Sequence, residues 1–184
     1  TEIQHGLYDG GAGAGLEDHW NAMRAAPNSG GMFIWALLDE GLVRDDQGGA
    51  IDVAGDLAPD GILGPYREKE ASYYTVKALW SPVQITAPYP ASFNGMLTVE
   101  NRFDFTMLNQ CSFRWQLGRF PDPTAPANAL NAGFLPAMDS GDFAGPAIAP
   151  TERGLLKLNL PGDWARHDAL RVTATDPHGR EIYT

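Results

Sequence analysis

Residues 30–41 read GGMFIWALLDEG. Two glycines lead into an unbroken apolar run, which closes on two carboxylates and another glycine. A strand half-exposed to water alternates apolar and polar residues, whereas a strand covered on both faces reads as a continuous apolar stretch. The run therefore predicts a fully buried strand, the kind found in parallel sheets. Upstream, GLEDHWNAMRAAP (15–27) places Leu16, Trp20 and Met23 at helical spacing and ends at Pro27. Downstream, EASYYTVKALWSPV (70–83) is a second helix candidate, stopped by Ser81-Pro82. Between them lies LVRDDQGGAIDVAGDLAPDGILGPYREKE (42–70), rich in Gly, Asp and Pro, whose apolar turns AIDV and GIL favour an ordered loop. The chain opens on TEIQHGLYDGG (1–11), which reads as the end of a buried strand running into a glycine-rich loop, cut from something longer.

Beyond Pro82 the periodicity becomes that of strands. VQITAP, GMLTVENRF, CSFRWQL, GLLKLNL, ALRVTAT and EIYT are short runs separated by turn signals such as FNG, LPGD and DPHG. That spacing suits an antiparallel sandwich. One stretch, FPDPTAPANALNAGFLPAMDSGDFAGPAIAP (120–150), is heavy in Pro, Ala and Gly and reads as a surface excursion with one or two short strands, around AGPAIAP. The organisation is thus an α/β segment over 1–81 and an incomplete β-sandwich over 82–184.

Composition bounds the function. Among 184 residues, 43% are hydrophobic and 20% charged, as in folded globular proteins. A net charge of -10 argues against nucleic acid or an anionic membrane as partner, since both require a basic surface. With one cysteine, Cys111, neither an intramolecular disulfide nor a thiolate zinc site forms. No apolar run approaches the roughly 20 residues of a membrane helix. The sequence is that of a soluble protein, compatible with cytoplasm or periplasm alike.

The ordered set Glu-x-x-His, glycine-rich loop, tryptophan-bearing helix, GGMFIWALLDEG, DGIL, a tyrosine-rich helix and SPVQI resembles the end of the catalytic domain in glycoside hydrolase family 2, the β-galactosidase-like enzymes. LTVENRFDFTML (97–108) is similar to the first signature strand of the sandwich that follows it. The resemblance covers most of the chain, most closely 1–84 and 96–117. It implies the last two strands and helices of a (β/α)8 barrel, with the seventh strand ending at Glu2, the eighth being MFIWALL and the last helix EASYYTVKALW. An immunoglobulin-like β-sandwich follows. It also implies a retaining exo-glycosidase that hydrolyses terminal β-linked sugars, β-galactosides foremost, through a covalent glycosyl-glutamate.

Under that resemblance Glu2 takes the place of the nucleophile. Retaining glycosidases pair an attacking carboxylate with a second one that protonates the leaving oxygen. Taken alone, Glu2 reads as a solvated glutamate. His5 matches a position that hydrogen-bonds sugar hydroxyls, against an ordinary loop histidine. Trp35 matches a tryptophan that floors the sugar site and is often followed by a cis peptide, so Trp35-Ala36 is the bond to inspect; its bland alternative is core packing. Asp60 matches a position, often Asn, that contacts the sugar or a monovalent cation. Asp39 and Glu40 read equally as supporting acids at the strand end, and the run Arg67, Glu68, Lys69 as solvated surface. Asn101, Arg102, Asp104 and Thr106 read as an ordered sandwich corner.

The acid/base glutamate and the divalent-metal ligands of the family have no counterpart here. The resemblance therefore implies no organic cofactor, with any divalent or monovalent cation held mostly by residues outside this chain. As partners it implies a β-linked glycoside and a missing N-terminal barrel segment, in cis or in trans. The isolated 184-residue chain is expected to be inactive. The rival reading is a non-catalytic carbohydrate-binding or assembly module that needs a partner chain.

Overall fold

The computed structural model describes residues 2–5, 11–53, 59–87, 90–126 and 135–184. They fall into two compact units, Thr1–Trp80 and Ser81–Thr184. The first contains β1 (Glu2–His5), α1 (Leu16–Ala25), β2 (Phe33–Trp35), β3 (Leu42–Arg44), β4 (Ala50–Asp52) and α2 (Ala71–Leu79). β1 and β2 pair in parallel, with Glu2 opposite Phe33, Gln4 opposite Ile34 and His5 opposite Trp35.

The glycine-rich segment falls partly on residues 6–10, outside the described residues. Its second half, Gly11 to Gly15, runs through the left-handed region, with φ of 63° at Gly11, 86° at Gly13 and 85° at Gly15. That conformation, rather than room for a ligand, is what these glycines supply. Gly13 also lies against Thr75, where an added Cβ would come within 3.1 Å of the methyl group. Thr75 Oγ1 donates to the Ala12 carbonyl at 2.9 Å, and Gln4 Nε2 donates to the Ala14 carbonyl at 2.8 Å. The loop is thereby tied to both α2 and β1 before α1 begins. α1 then buries Leu16 and carries Glu17 and Asp18 in its first turn and Arg24 in its last, as the helix dipole favours.

The expected closing strands and helices of a (β/α)8 barrel are not formed. The described residues are mostly sheet, and α1 and α2 are their only α-helices. β1 and β2 make a two-stranded sheet, whereas a barrel of this kind closes eight strands, each followed by a helix. Two local causes account for the difference. The apolar run is a strand only over Phe33–Trp35; beyond it the backbone leaves β1 and bonds residues 60–63 instead. Ala36 N–H donates to the Asp60 carbonyl at 2.9 Å, Ile62 to Ala36 at 3.0 Å, Leu63 to Leu37 at 3.1 Å and Asp39 to Leu63 at 2.8 Å. In addition, 42–52 is an antiparallel β3–β4 hairpin rather than a loop, turning through Gly48 and Gly49 at φ 67° and 85°. Arg44 staples it, donating to Asp46 and to Asp52 at 2.7 Å. Glu2 is the first residue of β1, which runs on to His5, so the strand does not end at Glu2.

The second unit is two antiparallel sheets packed face to face, a β-sandwich. Its strands are β5 (Val83–Thr86), β6 (Met96–Asn101), β7 (Ser112–Arg119), β8 (Leu135–Ala144), β9 (Arg153–Lys157), β10 (Ala169–Thr175) and β11 (Glu181–Tyr183). One sheet has the order β5-β6-β9 and the other β11-β10-β7-β8. Val83, Leu97, Val99 and Leu156 from the first meet Phe113, Val172 and Ala174 from the second in one core. Each strand contributes alternate residues to it, as the pleat requires. Phe113 and Trp115, which share a face of β7, are both buried.

β8 falls inside the Pro/Ala/Gly stretch, ahead of the AGPAIAP segment where a strand was expected. Gly141 sits opposite Trp115, and a Cβ there would lie 2.6 Å from the indole Nε1. Only glycine lets the indole lie across the strand.

Asn101 is fully buried at the end of β6. Its Nδ2 donates to the carbonyls of Thr106 (2.9 Å) and Ile148 (3.1 Å), and its Oδ1 accepts from Phe103 N–H at 3.1 Å. One side chain thus satisfies three backbone groups of the corner 101–106 and the 148 segment. At the far end Asp176 organises the DPHG turn, its Oδ1 accepting from the amides of His178 and Arg180, both at 2.9 Å. Those backbone donors, with the Arg180 guanidinium at 2.7 Å, hold the Asp176 carboxyl down at about 2.

Two outcomes follow from these anchors. Asn101→Ala should cost about 2 kcal/mol in denaturant unfolding, because it removes the side-chain partner of the Thr106 carbonyl and the Phe103 amide, while the Ile148 carbonyl keeps the Leu108 amide. Asp176 has a folded pKa below its unfolded one, so its stabilisation is complete above the ordinary carboxylate range and is lost as pH falls towards about 2. Thermal melts at decreasing pH should therefore show a shallower acid limb for Asp176→Asn than for the parent.

Candidate functional site

The parallel pairing of β1 and β2 sets His5 beside Trp35 at the C-terminal end of both strands. In open parallel sheets this is the edge where ligands bind. The strip 60–63 arrives at the same edge through its ladder with 36–39 and delivers Asp60. Three ionisable groups then stand in a line. His5 Nε2 is 2.9 Å from Glu2 Oε1, and His5 Nδ1 is 3.2 Å from Asp60 Oδ2. Glu2 is half exposed, with 47% of its side chain open to solvent, while Asp60 is buried at 7%.

The geometry assigns distinct possibilities to the two carboxylates. The imidazole stands between them, so they do not flank a common space in the manner of a nucleophile and a proton donor. Glu2 is accessible to a substrate; Asp60 is behind the ring and fixes it. A neutral imidazole has one N–H and satisfies one of these contacts as donor, whereas an imidazolium satisfies both. Asp60 Oδ1 is buried and has no hydrogen-bond partner among the described residues. It is an acceptor open to one more donor, such as a sugar hydroxyl.

Trp35 keeps 44% of its surface exposed. It is therefore not a core residue, and its ring is free to pack against the C–H face of a pyranose. The Trp35-Ala36 peptide is cis. All four residues singled out in the sequence, Glu2, His5, Trp35 and Asp60, thus lie on the connected elements β1, β2 and the 60–63 strip.

Among the described residues no cluster of His, Cys, Asp or Glu is arranged to hold a metal ion. The orphan oxygen of Asp60 is a single ligand, and magnesium or calcium needs about six oxygens, so these residues do not by themselves fit a divalent ion. Cys111 is buried in the sandwich core, and burial pushes its thiol up, away from the reactive thiolate.

Two features escaped the sequence reading. Asp39 and Glu40 read alike there, but Asp39 is buried and accepts the Gly61 amide at 2.9 Å, while Glu40 is exposed. Glu70 went unnoticed as an acid; it is held at the start of α2 with one carboxylate oxygen buried. A distinct concavity of about 740 Å³ lies in the second unit, lined by Phe93, Leu117, Trp164, Leu170 and Tyr183. Its lining is mainly apolar but also includes His167, Asp168 and Arg171.

The chain matches no protein-family model and no curated protein. No helix among the described residues is long and apolar enough to cross a membrane.

The line makes a spectroscopic prediction. At a pH where His5 is neutral, 15N spectra should show its proton on Nδ1, held by Asp60. In Asp60→Ala the proton should move to Nε2, the form favoured by an unconstrained imidazole; an unchanged tautomer would mean that Asp60 does not orient the ring.

Proposed function

We propose that Glu2 is the nucleophile of a retaining glycosidase acting on terminal β-linked sugars, β-galactosides foremost, and that this chain is one portion of that enzyme. The observation that carries the reading is the line Glu2–His5–Asp60, which runs from the first residue of β1 to His5 beside the exposed Trp35 at the C-terminal end of the parallel pair. Glu2 attacks the anomeric carbon as a carboxylate, and the leaving oxygen departs with a proton from a second carboxylic acid. A covalent glycosyl-Glu2 forms and water then hydrolyses it. With both ring nitrogens protonated, His5 donates to Glu2 across 2.9 Å while still held by Asp60, and the same nitrogen reaches sugar hydroxyls when it leaves that contact. Trp35 supplies the apolar floor, and Asp60 Oδ1 accepts a sugar hydroxyl. The reading places the proton donor on polypeptide outside residues 1–184, in cis or in trans. The isolated chain is then inactive, since carboxylates acting as a unit lose nearly all catalysis when one is missing.

The second reading, a non-catalytic module that assembles with a partner chain, is favoured by one observation. The first unit exposes Phe33 (72%), Leu37 (64%), Leu42 (74%) and Val43 (64%), and its parallel sheet has only two strands. Parallel sheets are ordinarily covered on both faces. Apolar surface of this kind marks an interaction site. The two readings share this partner and differ in whether Glu2 reacts.

The deciding experiment uses the chain together with the polypeptide that carries the proton donor. A 2-deoxy-2-fluoro β-glycoside with a good leaving group should label Glu2, visible as a mass increment on the peptide containing it. Glu2→Gln should lower kcat by about 10⁴-fold or more. Full activity in that variant would leave the module reading in possession.

A further inference from the structure

The sandwich holds a concavity that the Glu2–His5–Asp60 line does not use. Its volume, about 740 Å³, lies within the range of small-molecule sites, roughly 300–1,000 Å³. All of its walls come from the second unit. It lies at the end of the sandwich where β5 and β7 finish and β6 and β10 begin. Leu97 from one sheet and Leu117 and Val172 from the other form its floor, and all three are buried. Above them the walls turn aromatic, with rings drawn from three separate segments. Trp164, on a short 3-10 turn (Trp164–Arg166), meets Phe93 edge to face, the ring centres 5.0 Å apart at 83°. Tyr183 pairs with Ala174 across β10 and β11 and packs against the same core, and burial pushes its phenol up.

Polar groups gather where the cavity meets solvent. Asp168 is exposed, yet it is fixed to the end of β7. Its N–H donates to the Gly118 carbonyl at 3.0 Å, and its Oδ2 accepts the Phe120 amide at 3.2 Å. His167 Nδ1 lies 3.3 Å from the Trp164 carbonyl, an oxygen that only accepts, so this nitrogen carries the proton and a neutral ring keeps Nε2 as acceptor. Arg171 adds a positive charge to the lining. A carboxylate and a guanidinium on one lining leave no surplus charge for an ion to satisfy, and each disfavours one sign of ligand. The apolar floor calls for an apolar body, and aromatic walls favour flat rings that stack offset or edge to face. A cavity of about 150 Å³ already holds benzene, so about two or three linked rings fit here with room for a polar head. We infer that the sandwich binds an uncharged aromatic alcohol of that size, its rings between the aromatic walls and the Leu97–Leu117–Val172 floor and its hydroxyl at the Asp168 rim. The site belongs to the second unit alone and is independent of whether Glu2 reacts.

The test uses the 184-residue chain and three probes of one shape: 2-naphthalenemethanol, 2-naphthoate and 2-naphthylmethylammonium. In NMR titration the alcohol should shift the Leu97, Leu117 and Val172 methyls and the Trp164 indole N–H together, saturating with a Kd below about 1 mM. The two ions should bind more weakly, by about fivefold or more. Asp168→Asn keeps an oxygen for the Phe120 amide and removes the charge. It should strengthen 2-naphthoate binding by about fivefold and leave the alcohol unchanged. Ala165→Trp, at an exposed position of the lining, should fill the mouth and weaken the alcohol by about tenfold. Failure of the alcohol to saturate these signals, an ion that binds as tightly, or an unchanged affinity in Ala165→Trp would overturn the assignment. So would cavity shifts that follow protein concentration with no probe present, since a second copy of the chain would then be the occupant. The titration of the parent chain needs no variant, so a variant that failed to fold would leave the test intact.

Discussion

Everything that can be called a site in the first unit depends on four backbone hydrogen bonds between 36–39 and 60–63. Without them β1 and β2 are a two-stranded parallel pair, too small to persist in water. With them, a segment distant in sequence extends the edge of that pair and sets Asp60 behind His5. The strip has no side-chain periodicity of its own; it is held by main-chain hydrogen bonds and by the Asp39 carboxylate, which accepts the Gly61 amide. This gives the acids of the unit a division of labour. Asp39 holds the Gly61 amide and Asp60 an imidazole, while Glu2 keeps about half of its side chain open to solvent.

The same dependence explains what was legible in the sequence. Both helices showed in Leu16, Trp20 and Met23 and in the tyrosine-rich run, because helical spacing is a local property. Six strands of the sandwich were legible for the same reason: alternation and turn residues mark each one without reference to its partners. What was misread is non-local. MFIWALL reads as one buried strand, yet its second half, Ala36–Leu38, pairs with 62–63, so its apolar character reflects two different neighbours. The expectation of a barrel came from resemblance in motif order, which carries no information about how many strands surround the motif.

β8 shows a different failure. Its residues carry Pro, Gly and small side chains that local propensity assigns to loops, and a strand forms because Trp115 on β7 needs a neighbour without a side chain. The demand comes from the partner strand and leaves only a glycine as its trace. The β3–β4 hairpin was hidden likewise in a run of Asp, Gln and Gly, although Gly48-Gly49 is a legitimate turn signal once strands are sought on either side.

Among the candidate residues, Glu2, His5, Trp35 and Asp60 were named from pattern, and from local chemistry each also read as ordinary. What the structure adds is their adjacency, which converts four weak signals into one arrangement with a direction: buried acceptor, ring, exposed carboxylate. Such a line suits a group that must stay accessible yet be held in one place, because the rigid end of the line is buried and the mobile end is not. The opposite order, with Asp60 exposed and Glu2 buried, would leave the histidine anchored to a solvated side chain and the reacting group out of reach. The burial gradient along the three residues, more than their identities, is therefore the physical argument behind the proposal that Glu2 reacts.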